Sequence, residues 1–359
     1  MAYSIEIYRL NVATGQFSRI DAIVNGSYKN LSFSENLNGV GQCQFELDIY
    51  SPKASPDTLQ RFRNHVCIKR NDSVVWFGPI TNIESDYDNV SGSVTVQANT
   101  MLYHYKDRYT TAILDYTAQD MADIAQAFIT SETAKLNGSF GVAVGSTPTT
   151  QDIDIQFEKD KRIADCLIEL ASRDIGIDFN FVPNVGSSNL VETVSFNVFF
   201  PLGSVRTDLA PLRIGDNVKT VRLSTISGIY NAGTAYGAGT GSEVLSQSYN
   251  DTASQVAYSR REKVEKQGDV AVAETLLARI TETIYQTSVE RFALDLTLYP
   301  GRNPQYGTYG VGDIFNVDLD VDNSGGYINL QGQARIIGLQ TSIDDVGVED
   351  ITPRLELFN

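Results

Sequence analysis

The sequence predicts a mainly β protein. Two antiparallel β-barrel domains flank an α+β unit, and a helical insertion interrupts the second barrel. Three observations carry this expectation. Short runs of alternating apolar and polar residues fill the first hundred residues and return after Phe292. Between them, 3.6-residue apolar stripes mark helices near 121–129 and 161–173. Around 216–230 a strand-like stretch, VKTVRLSTISGIY, runs into the glycine-rich AYGAGTGSE, and helix-like sequence follows before β pattern resumes.

The expected boundaries are 1–100 for the first barrel, 101–215 for the α+β domain with its connecting helix, and 216–359 for the second barrel. The insertion in the second barrel is placed at about 250–290. At 359 residues the chain exceeds one ordinary core, so several domains are expected.

In the first region SIEIYRL alternates, and a turn at Asn25-Gly26-Ser27 precedes KNLSFSENL. CQFELDIY puts Cys43, Phe45, Leu47 and Ile49 on one face. SPKASPD is a Pro/Ser loop. The stretch from His65 reads as a hairpin turning at Asn71-Asp72, with VSGSVTVQA as the next strand. Trp76, the sole tryptophan, reads as a core residue.

MLYHYKDR is a short connector. Thr117, with Asp120 three residues on, fits an N-cap ahead of the stripe Met121, Ile124, Ala125, Phe128 and Ile129. A Gly/Ser/Thr loop covers 137–151. The second helix buries Ile163, Leu167, Leu170 and Ala171 and ends before Gly176, after which IDFNFV and TVSFNVFF read as strands around PNVGSSN.

In the insertion, SRREKVEK (259–266) and VAVAETLLARITETIY (270–285) read as helical. The chain then returns through FNVDLDV, a turn at 323–326, YINLQGQARIIGLQTSI, a turn at 344–347 and the closing ITPRLELF.

Bulk chemistry narrows the function classes. The net charge is −16, from 44 acids against 28 bases, which disfavours a dedicated nucleic-acid binder but suits a surface that nucleic acid slides past. Cys43, Cys67 and Cys166 have no CxxC spacing and read as buried thiols. With His65 and His104 the only histidines, a His-rich metal site is set aside. The start MAYSIEIYRL has neither a basic start nor an apolar core segment, and no apolar run reaches the ~20 residues of a membrane helix. A product made soluble in the cytoplasm, without stable membrane insertion, is expected.

Candidate chemistry is sparse. Asp318, Asp320 and Asp322 match the opening of a calcium loop, but Asn323 and Asn329 stand where glycine and glutamate belong. They read as a solvated acidic face and, at most, a weak metal site. Gly237, Gly239 and Gly241 lack the strand–loop–helix context of a dinucleotide fingerprint and read as a mobile loop or a close backbone approach. Arg260, Arg261, Lys263 and Lys266 form the densest basic cluster, a solvated helix face or a docking surface. No GxSxG, HExxH or P-loop occurs, and no catalytic residue, cofactor or enzyme activity is expected.

The order of these segments, with RIADCLIELASRDIGIDFNF at 162–181, resembles the tail hub family of long-tailed bacteriophages, minor tail proteins similar to the baseplate hub of contractile tails. Asn231 with its glycine run, Tyr258-Ser259-Arg260-Arg261-Glu262, Gly312-Asp313 opening FNVDLDV, and TPRLELF carry the same resemblance. Family members commonly have glycine where this chain has Ser259.

The resemblance implies a virion tail-tip protein assembled in the host cytoplasm. It implies a homotrimeric ring that continues the tail tube, converts sixfold to threefold symmetry and lets DNA pass on ejection. The implied partners are the distal tail ring protein, the tape-measure protein and a receptor-binding or tail-fibre protein. Arg260, Arg261, Asp318, Asp320, Asp344 and Asp345 are then assembly or channel-facing candidates.

Competing readings are a carbohydrate-binding tail or adhesin protein, with Tyr299, Tyr306 and Tyr309 as its aromatics, and a cell-wall-degrading tail enzyme. The distal tail ring protein itself fits less well, because of the helical segments.

Overall fold

The computed structural model describes the chain except for residues 1, 89, 174, 226–227, 240, 269, 291, 300, 321–328 and 358–359, and the side chains of 242 and 329. Strand outweighs helix by 48% to 16%, which makes the protein mainly β with several antiparallel sheets. Two compact units divide the chain: unit 1 comprises Met1–Ser172, Gly176–Val221 and Asp295–Leu355, and unit 2 comprises Arg173–Ile175, Arg222–Leu294 and Glu356–Asn359.

Unit 1 begins with β1 (Tyr3–Asn11), β2 (Gln16–Ile23), β3 (Lys29–Asn36), β4 (Gln42–Asp48), β5 (Asn64–Arg70), β6 (Ser73–Tyr87) and β7 (Gly92–Asn99). These follow the alternation of the sequence: β4 buries Cys43, Phe45 and Leu47 and turns Gln42 and Asp48 outward. The β5–β6 hairpin turns at Asn71 (φ 48°) and Asp72 (φ 64°), two residue types that tolerate positive φ.

β1 departs from simple alternation because both its faces are covered. Tyr3, Ile5 and Ile7 enter one apolar cluster, with Phe45, Val66 and Trp76. Tyr8 and Leu10 enter another, shared with the helices. β5 is sandwiched in the same way, which is why six of its seven residues are buried.

A short 3-10 segment (Met101–Asp107) leads to β8 (Leu114–Asp120), α1 (Met121–Thr133), β9 (Val142–Val144), β10 (Asp152–Phe157), α2 (Ile163–Ala171), β11 (Asp178–Val185) and β12 (Val191–Phe199). The predicted stripe of α1 is buried throughout. The cap is Asp120, whose Oδ1 accepts from the Ala122 amide at 2.8 Å. Thr117 lies in β8 and not at the cap, because pairing of β8 with β10 holds the chain extended up to Asp120.

The 137–151 stretch contains β9, which runs parallel to β12. α2 ends at Ala171. A Cβ on Gly176 would meet the Ala171 carbonyl at 2.4 Å, so glycine lets the chain fold back past the helix end.

The remaining elements of the main sheet are β13 (Leu212–Arg213), β14 (Val218–Thr225), β18 (Phe292–Leu298), β19 (Ile314–Asp320), β20 (Asn329–Ile343) and β21 (Glu349–Leu357). Within unit 1 the path runs β21-β20-β3-β4-β7-β6-β5-β1-β2, with β19 on β20 and β13 on β19. β20 pairs antiparallel with β3, joining the two ends of the chain in one sheet. Among the described residues no sheet closes on itself. The expected pair of closed barrels is therefore not present as hydrogen-bonded closure: β1–β2 and β5–β6 are drawn instead onto the helical layer, which covers their second face. The turn expected at 323–326 lies outside the described residues.

In unit 2, β15 (Ala232–Tyr236) pairs antiparallel with β16 (Ser246–Asn250) and parallel with β17 (Glu262–Lys266). α3 (Thr252–Tyr258) and α4 (Ala273–Thr287) complete it. Leu276, Ile280 and Ile284 of α4 pack with Ala235 and Val270. A Cβ on Gly233 would come within 2.6 Å of Ile280 Cδ1, so the absence of a side chain permits this approach.

Residues 262–266 are a strand, not the expected helix. EKVEK has good helix formers and no apolar alternation, but pairing with β15 overrides propensity.

A buried amide organises this unit. Asn231, with 0% exposure, donates from Nδ2 to the Ser259 carbonyl (2.8 Å) and to Ser254 Oγ (3.2 Å), and its Oδ1 accepts from the Arg261 amide (2.8 Å). Its backbone carbonyl accepts from the Asp251 amide and from Gln255 Nε2. One side chain thus fixes the end of α3 against the start of β17.

Candidate functional site

The residues singled out in the sequence serve local structure first. On β19, Phe315, Val317 and Leu319 are buried, while Asp318 and Asp320 stand half-buried on the opposite face. Asp318 pairs with Arg213 Nε at 3.1 Å and accepts from Gln331 Nε2. Asp344 closes the β20–β21 turn, accepting from the amides of Val346 (3.1 Å) and Val348 (2.7 Å). Asp345 is exposed. Asp322 lies outside the described residues.

Arg260 and Arg261 are exposed beside β17, and Arg260 spans Glu262 (2.6 Å) and Asn250 (2.8 Å). Lys263 pairs with Glu265 at 2.9 Å, so the basic cluster is interleaved with its own acids.

The structure brings the tyrosines of the 299–309 loop together around a buried ion pair that sequence reasoning missed. Arg70 and Glu349 meet at 2.6 Å and Tyr3 donates its hydroxyl to Glu349 at 2.8 Å. Burial alone would raise Glu349. The hydrogen bonds from Arg70 and Tyr3 outweigh it and hold the carboxyl below its ordinary range. Tyr306 lies under the Arg70 guanidinium at 4.9 Å, and Tyr309 packs edge-on to Phe315. Tyr299 carries Arg302 at 4.5 Å. These tyrosines mainly support the loop around a cavity of about 140 Å³.

A second buried charge cluster ties β1 and β5 to the loop before β12. Glu6 meets Lys69 at 3.0 Å and Arg19 at 2.7 Å, and accepts from Tyr8 at 2.7 Å. Lys69 also donates to the Asn189 carbonyl. His65 and His104, both buried, face each other with their Nε2 atoms 3.0 Å apart.

Two larger cavities lie in unit 1. One, of about 630 Å³, opens between the turn at 26–29 and the β6–β7 hairpin, lined by Lys29, Glu46, Asp48, Asp86, Tyr87 and Asp88. Beside it Tyr50 and Tyr87 are exposed and meet edge-on, their hydroxyls 3.3 Å apart. The other, of about 350 Å³, is lined by Trp76, Phe77, Leu102, Phe179 and Phe181 together with polar residues that include Glu35 and Asn180. Among the described residues no three His, Cys, Asp or Glu side chains gather as metal ligands, and no helix is long and apolar enough to cross a membrane. All three cysteines are free and buried.

No protein-family profile matches the chain, and no curated protein matches it. Solved structures do. The 43 kDa tail protein of prophage MuSo2 from Shewanella oneidensis superposes with a TM-score of 0.60 over 98% of both chains, at 14% identity. A tail protein from Neisseria meningitidis MC58 gives 0.57 over 99% of this chain and 97% of its own, at 13% identity. Prophage tail protein gp18 from Listeria monocytogenes EGD-e gives 0.52 over 99% and 94%, at 8% identity. The chain therefore has, over nearly its whole length, the fold of phage tail proteins, and the resemblance read from the sequence holds at the level of fold.

Proposed function

We propose that the chain is a structural tail-tip protein of a long-tailed phage: a homotrimeric baseplate hub that continues the tail tube, adapts sixfold to threefold symmetry and lets DNA pass. The single observation that supports this best is the end-to-end match to a prophage tail protein, with 98% of each chain covered. A net charge of −16 suits a lumen along which DNA slides without sticking.

In this reading the three sequence regions 1–100, 101–215 and 216–359 act as two barrel-like ring segments and an α+β spacer. Asp318, Asp320, Asp344 and Asp345 face the channel or outer solvent, and Arg260 and Arg261 belong to an assembly contact. The partners are a distal tail ring protein, a tape-measure protein and a receptor-binding or fibre protein. Assembly takes place in the host cytoplasm. The test is the solution mass of the purified protein together with its position in the intact particle. A stable monomer absent from tail tips overturns the reading.

A second reading, carbohydrate recognition, draws support from Tyr50 and Tyr87, which stand exposed beside Asp48, Asp86 and Asp88. Aromatic faces flanked by carboxylates suit sugar rings. Glycan-array binding that disappears in Tyr87→Ala favours it; binding that persists in that variant removes it. A cleared zymogram band would favour a wall-degrading enzyme over both.

A further inference from the structure

One edge of the unit 2 sheet is unpaired, and its sequence is complementary to itself. In the order β16-β15-β17, β17 is terminal, and among the described residues no strand lies beyond it. The Arg261 carbonyl accepts from the Ala232 amide, and the Gln267 amide donates to the Tyr236 carbonyl. The odd-numbered residues along β17 therefore turn their main-chain groups toward β15. By alternation, the amides and carbonyls of Glu262, Val264 and Lys266 point away from the sheet. None of these groups has a hydrogen-bond partner among the described residues. Val264 is 60% exposed, and Glu262 and Lys266 are exposed beside it, so the edge is open to approach.

Edge strands are ordinarily protected by charge, lysine above all, which repels a second edge. EKVEK does not repel its own copy. Set antiparallel to itself about Val264, it places Glu262 opposite Lys266, Lys263 opposite Glu265 and Val264 opposite Val264. Opposite charges directly across a strand pair attract, and like charges there destabilise it. The same register sets each outward amide against an outward carbonyl, because even-numbered residues face even-numbered ones. The neighbouring registers that keep those hydrogen bonds set Lys263 against Lys263 or Glu265 against Glu265. Charge therefore selects one register. The net charge of −16 makes whole chains repel, but this strip is locally neutral.

The two faces of the strand agree with this pairing. Lys263 and Glu265 pair with Gly233 and Ala235, which face α4, and Thr283 of α4 donates to Glu265 Oε1 at 3.3 Å. Glu262, Val264 and Lys266 lie on the opposite, open face. A second copy would bring the two Val264 side chains together there, flanked by Glu262–Lys266 pairs.

We propose that β17 pairs antiparallel, about Val264, with β17 of a second copy of this chain, joining two unit 2 sheets into one. The pairing is twofold, so it is separate from the contacts around any threefold axis and does not rest on the tail-tip reading.

Val264→Cys tests the register. Across a hydrogen-bonded pair the two Cα atoms stand about 5.5 Å apart, within reach of a disulfide. Cys43, Cys67 and Cys166 are buried and do not compete. Full-length Val264→Cys treated with oxidised glutathione should run as a covalent dimer on a non-reducing gel, whether or not the chain also forms a ring. Val256→Cys, at a position on α3 that is 90% exposed, should stay at the mass of one chain.

Sedimentation equilibrium, on chains without the added cysteine, tests the charges. Lys266→Glu should weaken self-association about tenfold or more at low salt, and adding Glu262→Lys should restore it. Three results overturn the proposal. One is a Val264→Cys chain that crosslinks no better than Val256→Cys. Another is association that is equally weak in the single and double charge variants, or unchanged in both. The third is a wild-type chain that shows no twofold association up to about 0.1 mM, which leaves the edge to a strand of another protein.

Discussion

Unit 1 and unit 2 solve the same problem with different means. In unit 1, thick apolar clusters cover both faces of β1 and β5, and the polar groups trapped there include full charges beside neutral groups: Glu6 with Lys69 and Arg19, and Arg70 with Glu349. In unit 2 the apolar cluster has five buried members among the described residues, and the polar centre is the neutral amide of Asn231. A buried charge pair needs a complete set of partners, since either ion left alone bears the full cost of desolvation. A neutral amide loses less when a partner goes, so it suits a small unit with little apolar reserve.

The largest expected effect follows from the charged centre. Lys69→Met strips Glu6 of its most buried cation, as Lys69 is 4% exposed and Arg19 reaches Glu6 from a more open position. The loss should be about 3–5 kcal/mol. Denaturant titration followed by Trp76 emission reads unit 1 alone. A cost below 1 kcal/mol would mean that water or Arg19 fully replaces the lysine, and the contrast between the units would fall.

Acid should separate the units next. Burial pushes His104 down to about 3 and, with His104 facing it, holds His65 well below the ordinary imidazole range. Both imidazoles are neutral in the folded state, whereas in the unfolded chain they protonate near 6.5. Their contribution to stability is complete above that pH and is lost as pH falls through it. The slope is up to about 2.7 kcal/mol per pH unit for two protons. Glu35, raised to about 7, works in the opposite direction between about 4.5 and 7 and shallows this slope. His104→Gln should roughly halve the histidine contribution. Unit 2 contains neither histidine, so hydrogen exchange in peptides from 231–290 should stay protected at a pH where Trp76 reports unfolding.

Asn231→Ala tests the neutral centre. It leaves the Arg261 amide and the Ser259 carbonyl without their side-chain partner, at an expected cost of about 2 kcal/mol. The loss should appear as faster hydrogen exchange in 246–290, with the Trp76 transition unmoved. A shift of the Trp76 midpoint instead would mean that the two units unfold as one.

The two units also differ in how much of them the sequence discloses. Where one face is buried and the other wet, alternation is plain, as in Cys43-Phe45-Leu47 and Phe315-Val317-Leu319. The α1 stripe is equally plain. In unit 2 the strands are short, and AGTAY and EKVEK carry no apolar alternation, so a glycine-rich coil and a helix are the natural readings. Their strand character comes from pairing between 232–236 and 262–266, across sequence that gives no local sign of it. The cavity at Glu35 was illegible for a similar reason, since residues near 35, 74–77, 179–183 and 310 meet only after folding. Asn231 stood out in the sequence as a mark of resemblance, but its role depends on partners about thirty residues later.

Ser259 offers the smallest effect, with the opposite sign. Its backbone sits at φ 61°, ψ 165°, a region that is essentially glycine-only, at a cost of order 1–3 kcal/mol for other residues. Positive φ at the unit 1 hairpin is carried instead by Asn71 and Asp72, whose conformation residues of that kind tolerate. The strain at Ser259 is imposed by Asn231, which holds the Ser259 carbonyl and the Arg261 amide at once and so fixes the chain between α3 and β17.

The side chain of Ser259 is exposed and makes no hydrogen bond among the described residues, so Ser259→Gly relieves the strain without removing a contact. Glycine's extra freedom in the unfolded chain offsets part of the gain, leaving a net stabilisation of about 1 kcal/mol. Slower hydrogen exchange in 252–266, with no change in the Trp76 transition, is the expected result. The gain should vanish in the Asn231→Ala background, because an unclamped chain can relax on its own. An additive gain in both backgrounds would place the source of the strain elsewhere in unit 2.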